Sequence, residues 1–121
     1  MNLDCSRMVI LSFVLCASAW GHENEPYSDW MKTLRQPDFP LSSCCGPGDQ
    51  YYVREYRQSS TKGIAFEAIV IGRAGQPDFS IEVPQKKVIW DRVNPTGRGV
   101  IFIMNNQLGS YVLCFVPGTG M

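Results

Sequence analysis

Three patterns of apolar and polar positions follow one another along the chain, and each predicts a different element. Met8 to Leu15 form an apolar run broken only by Ser12, with Arg7 before it and Cys16-Ala17-Ser18-Ala19 after it. A basic start, a short apolar core and small residues at its end mark a cleavable export signal. The run falls short of the roughly 20 apolar residues that a membrane-spanning helix needs. Residues 1–19 therefore read as a signal peptide, with cleavage after Ala19 or after Gly21. Cys16 follows Leu15, where lipoprotein processing needs a small residue, so a lipid anchor is not expected.

The second pattern has helical spacing. After an acidic, polar arm over residues 20–25, Tyr27, Trp30, Met31 and Leu34 fall at i, i+3, i+4 and i+7. They predict one apolar face of a short helix over Pro26 to Arg35, with Pro26 in its first turn and Pro37 ending it. Pro37, Pro40 and Gly46-Pro47-Gly48 then break up the segment that carries Cys44 and Cys45, which predicts a loop.

The third pattern alternates and runs to the end of the chain. Tyr51 to Tyr56, Ile64 to Ile71, Phe79 to Val83, Val88 to Trp90, Val100 to Met104 and Tyr111 to Val116 read as strands. Between them lie turns at Ser59–Gly63, Gly72–Pro77, Asn94–Gly97 and Asn105–Ser110, and a single helical turn over Pro84 to Lys87. Strict alternation puts Tyr52 and Tyr56 on one face, with Tyr51 and Val53 on the other. In the last strand it puts Cys114 with Val112 and Val116, opposite Leu113 and Phe115. The fold class is mainly β: a small antiparallel meander, barrel or open roll of five to six short strands with one short N-terminal helix. Residues 26–121 form a single small disulfide-linked domain.

Charge narrows the possible partners. Eleven Lys and Arg balance eleven Asp and Glu, and the signal carries away one of each, Arg7 and Asp4. Arg54, Arg57, Lys62, Arg73, Lys86, Lys87, Arg92 and Arg98 are interleaved with acids, so no basic stripe marks a nucleic-acid partner. No second apolar run is long enough to span a membrane.

Cys5 and Cys16 leave with the signal, and Cys44, Cys45 and Cys114 remain. Export implies an oxidising compartment and hence a disulfide, joining Cys114 to either Cys44 or Cys45. A bond between the vicinal pair is disfavoured by its ring strain. The remaining cysteine either packs as a small hydrophobe or stays exposed for thiol exchange or a disulfide-linked dimer.

Several short stretches carry a resemblance. His22, Tyr27-Ser28-Asp29-Trp30, Gln36-Pro37, Ser43-Cys44-Cys45, Gly48-Asp49, Val83-Pro84, Lys87-Val88, Asn94-Pro95, Gly97-Arg98 and Leu113-Cys114-Phe115-Val116-Pro117 are spread over nearly the whole chain after the signal. In these the sequence resembles an uncharacterised family of small exported bacterial proteins with a Ser-Cys-Cys segment and a C-terminal Cys-Phe-Val-Pro motif. The family implies no activity. Its members carry two further cysteines, one after Gly-Asp, where this chain has Gln50, and one after the Gly-Arg loop, where it has Phe102. The resemblance implies that one whole disulfide is missing, and that Gln50 and Phe102 are neighbours.

Chemistry has few starting points. His22 is the sole histidine, so a Cys–His or Ser–His–Asp arrangement would need this near-terminal residue to fold back over the domain. Cleavage after Ala19 would make it third from a free amine. The amine, two backbone nitrogens and the imidazole of Trp20-Gly21-His22 could then hold Cu(II) or Ni(II) in a square plane. Cleavage after Gly21 would leave amine and ring nitrogen as a smaller chelate. Cys44, Cys45 and His22 together could hold Cu(I), but only with reduced thiols. Glu55, Glu67, Asp78, Glu82 and the other acids lie in separate elements, and spacing alone pairs none of them. Gly46-Pro47-Gly48 and Gly72-Arg73-Ala74-Gly75 lack the context of a phosphate loop.

With no catalytic group and no resident cofactor indicated, the sequence favours a binding or interaction module, not an enzyme. It would act in the periplasm or outside the cell, with a partner that the residues do not name, a protein being one candidate class. The competing class is a thiol-redox or copper-handling protein using Cys44, Cys45 and His22.

Overall fold

The chain adopts a mainly β fold, described for residues 26–119 in a computed structural model. A single helical turn, α1 (Ser28–Met31), leads into a two-stranded hairpin, β1 (Arg35–Gln36) and β2 (Phe39–Ser43). The strands β3 (Asp49–Gln58), β4 (Ile64–Val70), β5 (Phe79–Pro84), β6 (Gly99–Asn106) and β7 (Gly109–Val116) form one antiparallel sheet in the order β5-β4-β3-β6-β7.

This sheet curls into a nearly closed barrel. Past β5 a 3-10 turn (Gln85–Lys87) swings the chain toward the far edge. There Val88 makes a parallel bridge with Phe115, and the Ile89 amide donates to the Phe115 carbonyl at 2.8 Å. The interior is filled by alternate residues of all five strands, among them Val53, Phe66, Val70, Val83, Ile101, Ile103 and Phe115. Tyr56, Phe66 and Phe115 meet as a triangle of tilted and edge-on rings with centroids 5.1–5.5 Å apart, the arrangement that ring quadrupoles favour.

A second core lies outside the barrel. Val100, Phe102, Cys114 and Val116 on the outer face of β6 and β7 are covered by Met31, Leu34, Cys44 and Cys45. Both faces are therefore dry from Gly99 to Ile103 of β6 and from Val112 to Val116 of β7, which explains the near-continuous apolar runs there.

Two β-bulges correct the alternation predicted from sequence. In β3 the register shifts between Val53 and Glu55, so Arg54 is the extra residue. Tyr51, Val53 and Tyr56 consequently share the interior, while Tyr52 packs on the outer core; Tyr52 and Tyr56 are on opposite faces. In β7 the shift falls between the pairs Phe102–Cys114 and Ile103–Val112, with Leu113 the extra residue. Val112 therefore points inward with Phe115, and Cys114 points outward with Leu113 and Val116. One added residue inverts the parity of everything beyond it.

The helix also differs from its expected span. Tyr27 provides no side-chain cap, and the amides of Thr33 and Leu34 turn back to the carbonyls of Trp30 and Met31, tightening the last turn. The Thr33 hydroxyl also donates to the Trp30 carbonyl. The chain then extends at once, because Arg35 and Gln36 pair with β2, a strand in the stretch read as loop. Met31 and Leu34 are nonetheless fully buried, as the spacing predicted. Val88 to Trp90 contributes one bridge and no strand, and the last hairpin turns tightly at Gln107-Leu108.

Asn94 holds the closing end together. Its buried amide nitrogen donates to the carbonyls of Arg98, Val116 and Pro117 at 2.7–3.3 Å, and its oxygen accepts from the Thr96 amide and hydroxyl. Beside it, the Tyr56 hydroxyl donates to the Gly118 carbonyl and accepts from the Gly118 amide. A Cβ at Gly118 would stand only 2.6 Å from the Arg98 carbonyl carbon, so this crossing of two backbones needs glycine.

Gln50 and Phe102 are direct cross-strand partners on β3 and β6, which places them as neighbours in the way the resemblance implied. Gln50 is buried, and its Nε2 alone among buried side-chain polar atoms of the described residues lacks a partner. Such an orphan costs about 1–3 kcal/mol of desolvation. Gln50→Met keeps the shape and removes the cost. We expect it to raise the stability by about 1 kcal/mol, seen as a higher urea midpoint at unchanged slope.

Candidate functional site

The cysteine segment follows directly from the outer core. The Cys44 amide donates to the Leu34 carbonyl at 3.1 Å, and the Ser43 hydroxyl accepts from the amides of Cys45 and Gly46. Gly48 lets the loop press against β7, since a Cβ there would lie 2.7 Å from Leu113 Cδ1. The disulfide joins Cys44 to Cys114, with Cα atoms 5.7 Å apart at a sequence separation of 70. The structure thus selects Cys44 of the two possible partners.

Cys45 stands outside the disulfide and is 6% exposed. Burial pushes its thiol up to about 11, although Lys32 pulls the other way. A thiolate is the reactive species in exchange and metal binding, so this site is chemically quiet at neutral pH. The shift also has a consequence for stability. The folded state retains the thiol proton more strongly than the unfolded state, so the contribution is intact below the ordinary value of 9.0 and is lost as pH rises from there to about 11. We expect the urea midpoint to fall across that window, and Cys45→Ala to flatten the fall.

His22, the proposed Cu(II) ligand, lies outside the described residues. Among the described residues, no group of three or more His, Cys, Asp or Glu side chains is placed to hold a metal ion.

The opposite side of the barrel is different in character. α1, the β1–β2 hairpin and the cysteine loop cover β6, β7 and the first half of β3, whereas the outer face from Glu55 of β3 across β4 and β5 is left open. A depression of about 430 Å³ lies over these three strands. Register explains its make-up. One cross-strand row is Arg57–Glu67–Glu82 and the next outward-facing row is Glu55–Ile69–Ser80, with Ile69 an apolar centre among charges. Arg57 reaches Glu67 at 3.6 Å, an exposed and weak pair. Glu67 also faces Glu82 directly, where like charges repel.

The sequence reading placed these acids in separate elements and paired none of them. They meet across strands, which spacing within a strand cannot reveal; the register of β3, β4 and β5 had to be known.

At the start of β5, Asp78 is fixed by the Arg54 guanidinium at 2.6 Å and by the Gly72 amide at 3.0 Å, and both hold its carboxyl below the usual carboxylate range. Arg73 lies over the Tyr51 ring at 4.5 Å and donates to the Gln50 carbonyl. These contacts fix the β4–β5 connection, and with it one rim of the open face.

Other surface features are less organised. A depression of about 310 Å³ lies between the β1–β2 hairpin and Ile89–Arg92, but Arg92 on its wall is committed to Thr33. Leu41, Val93 and Leu108 are more than four-fifths exposed but lie in separate segments, and exposed apolar residues scattered in this way are ordinary. No helix among the described residues is long and apolar enough to cross a membrane.

The fold and site thus define a small disulfide-linked β domain with one uncovered sheet face. Comparison of the chain with protein-family models, curated proteins and solved structures finds no match.

Proposed function

We propose that the protein is an exported binding or interaction module of the periplasm or cell exterior, which engages a protein partner through the outer face of β3, β4 and β5. The observation that carries this reading is the contrast between the two sides of the sheet. One is sealed by the disulfide-tethered cap; the other presents a depression of about 430 Å³ with an apolar centre and a charged rim. Binding sites combine an apolar body with a few placed polar groups in this way. A disulfide across the two ends of the domain fits an oxidising compartment, and the apolar run of residues 8–15 fits export.

The competing reading, a thiol-redox or copper-handling protein, has less support. It requires accessible thiolates, and the described cysteines are either bonded or buried with a raised thiol pKa.

A photo-crosslinking residue tests the binding reading. Introduced for Ile69 in the exporting cell, it should yield a discrete protein adduct; introduced for Lys62 in the exposed β3–β4 turn, it should not. Equal labelling from both positions, or none from Ile69, would overturn the assignment of this face.

A further inference from the structure

The row of charges on the open face ends at a free strand edge, and this sets the chemistry of what could extend it. Among the described residues β5 pairs only with β4, and the backbone links across the seam toward β7 come after β5, at Val88 and Ile89. The β5 edge carries a proline only at its last residue, Pro84, where the pairing with β4 also shifts; from Phe79 to Val83 it holds neither lysine nor proline. Those are the devices with which sheet edges are usually blunted against further pairing.

Side chains along this edge alternate. Phe79 and Ile81 point toward the barrel interior but stay partly exposed, and β7 comes near β5 across the seam without pairing with it. Ser80 and Glu82 point outward. Glu82 closes the row Arg57–Glu67–Glu82 with a carboxylate that has no ion-pair partner among the described residues. Two carboxylates side by side at the end of a row, next to an open pairing edge, call for a cation at the following position.

We infer that the edge of β5 receives an extended segment of a partner protein by strand addition, with a lysine or arginine opposite Glu82 and apolar residues opposite Phe79 and Ile81. Backbone hydrogen bonds to the edge hold the segment, and the alternation of its side chains selects it. The cation relieves the repulsion between Glu67 and Glu82, while the apolar residues complete the cover over the interior. A second copy of this chain is a poorer occupant. Its own β5 would bring Ser80 or Glu82 to the outer face beside Glu82, and neither supplies positive charge.

This inference rests on the binding reading and names the partner chemistry for the same face. It is tested on the purified protein with two blocked octapeptides, one alternating valine and lysine, the other valine and glutamate. The lysine peptide should slow hydrogen exchange and shift the amide resonances of residues 79–83, and the glutamate peptide should not. Glu82→Lys, an exposed change monitored for folding by near-ultraviolet circular dichroism, should weaken the lysine peptide by about tenfold or more. It should also let the glutamate peptide bind.

Lysine-peptide shifts scattered over the surface, or binding unchanged by Glu82→Lys, would overturn the inference. So would protection of residues 79–83 that depends on protein concentration without peptide, which would make a second copy the occupant. If crosslinking from Ile69 succeeds while the lysine peptide leaves β5 untouched, edge docking fails and the binding reading stands.

Discussion

Replacing Cys44 and Cys114 together by alanine should lower the folding stability by about 4 kcal/mol, close to what closing a loop of 70 positions is worth in chain entropy. Part of the effect arises in the unfolded chain, which gains freedom that the bond had removed. The native state should lose order unevenly. The disulfide ties the Ser43–Gly48 loop to β7, whereas the barrel interior is built without it. A denaturant titration should give the loss in stability. Hydrogen exchange of the variant should show the amides of Met31, Leu34 and Cys45 opening at lower free energy than those of Ile101 and Ile103. Uniform loosening of both cores would contradict this division.

Asn94→Leu should cost a further large amount, about 3–5 kcal/mol, although the residue touches neither the disulfide nor the open face. Leucine has similar bulk but no donor. It would leave the carbonyls of Val116 and Pro117 facing a buried hydrocarbon, and each buried carbonyl without a partner costs about 1–3 kcal/mol. Loss of the Asn94 oxygen would also release the turn held at Thr96. Asn94→Asp makes a useful control. It keeps the acceptor and the size but loses the donor, so it should be nearly as damaging. Thermal unfolding of the three proteins gives the comparison; an aspartate variant as stable as the parent would mean that the donated bonds carry little.

Much of the β architecture was legible in the chain. Five of the six predicted strands, the glycine and proline turns and the buried Met31 and Leu34 match the predicted pattern. What was hidden was parity and pairing. Arg54 and Leu113 are ordinary residues at bulges, and nothing local distinguishes them from regular strand positions. The strand Phe39–Ser43 was missed because Pro37 before it and Pro40 within it read as breakers, yet it needs only one partner, the short strand Arg35–Gln36. The choice of Cys44 over Cys45 depends on where a tight loop points each side chain. The open face was invisible for the same reason as the bulges: Glu55, Glu67 and Glu82 become a surface only once three strands are laid side by side.

The strand Gly109–Val116 supplies one wall of each core, the hydrogen-bond acceptor that seals the barrel and one sulfur of the disulfide. A polypeptide still short of that segment has no way to complete either half of the molecule, however much of it has been made. Final assembly is thereby postponed until that segment has been made.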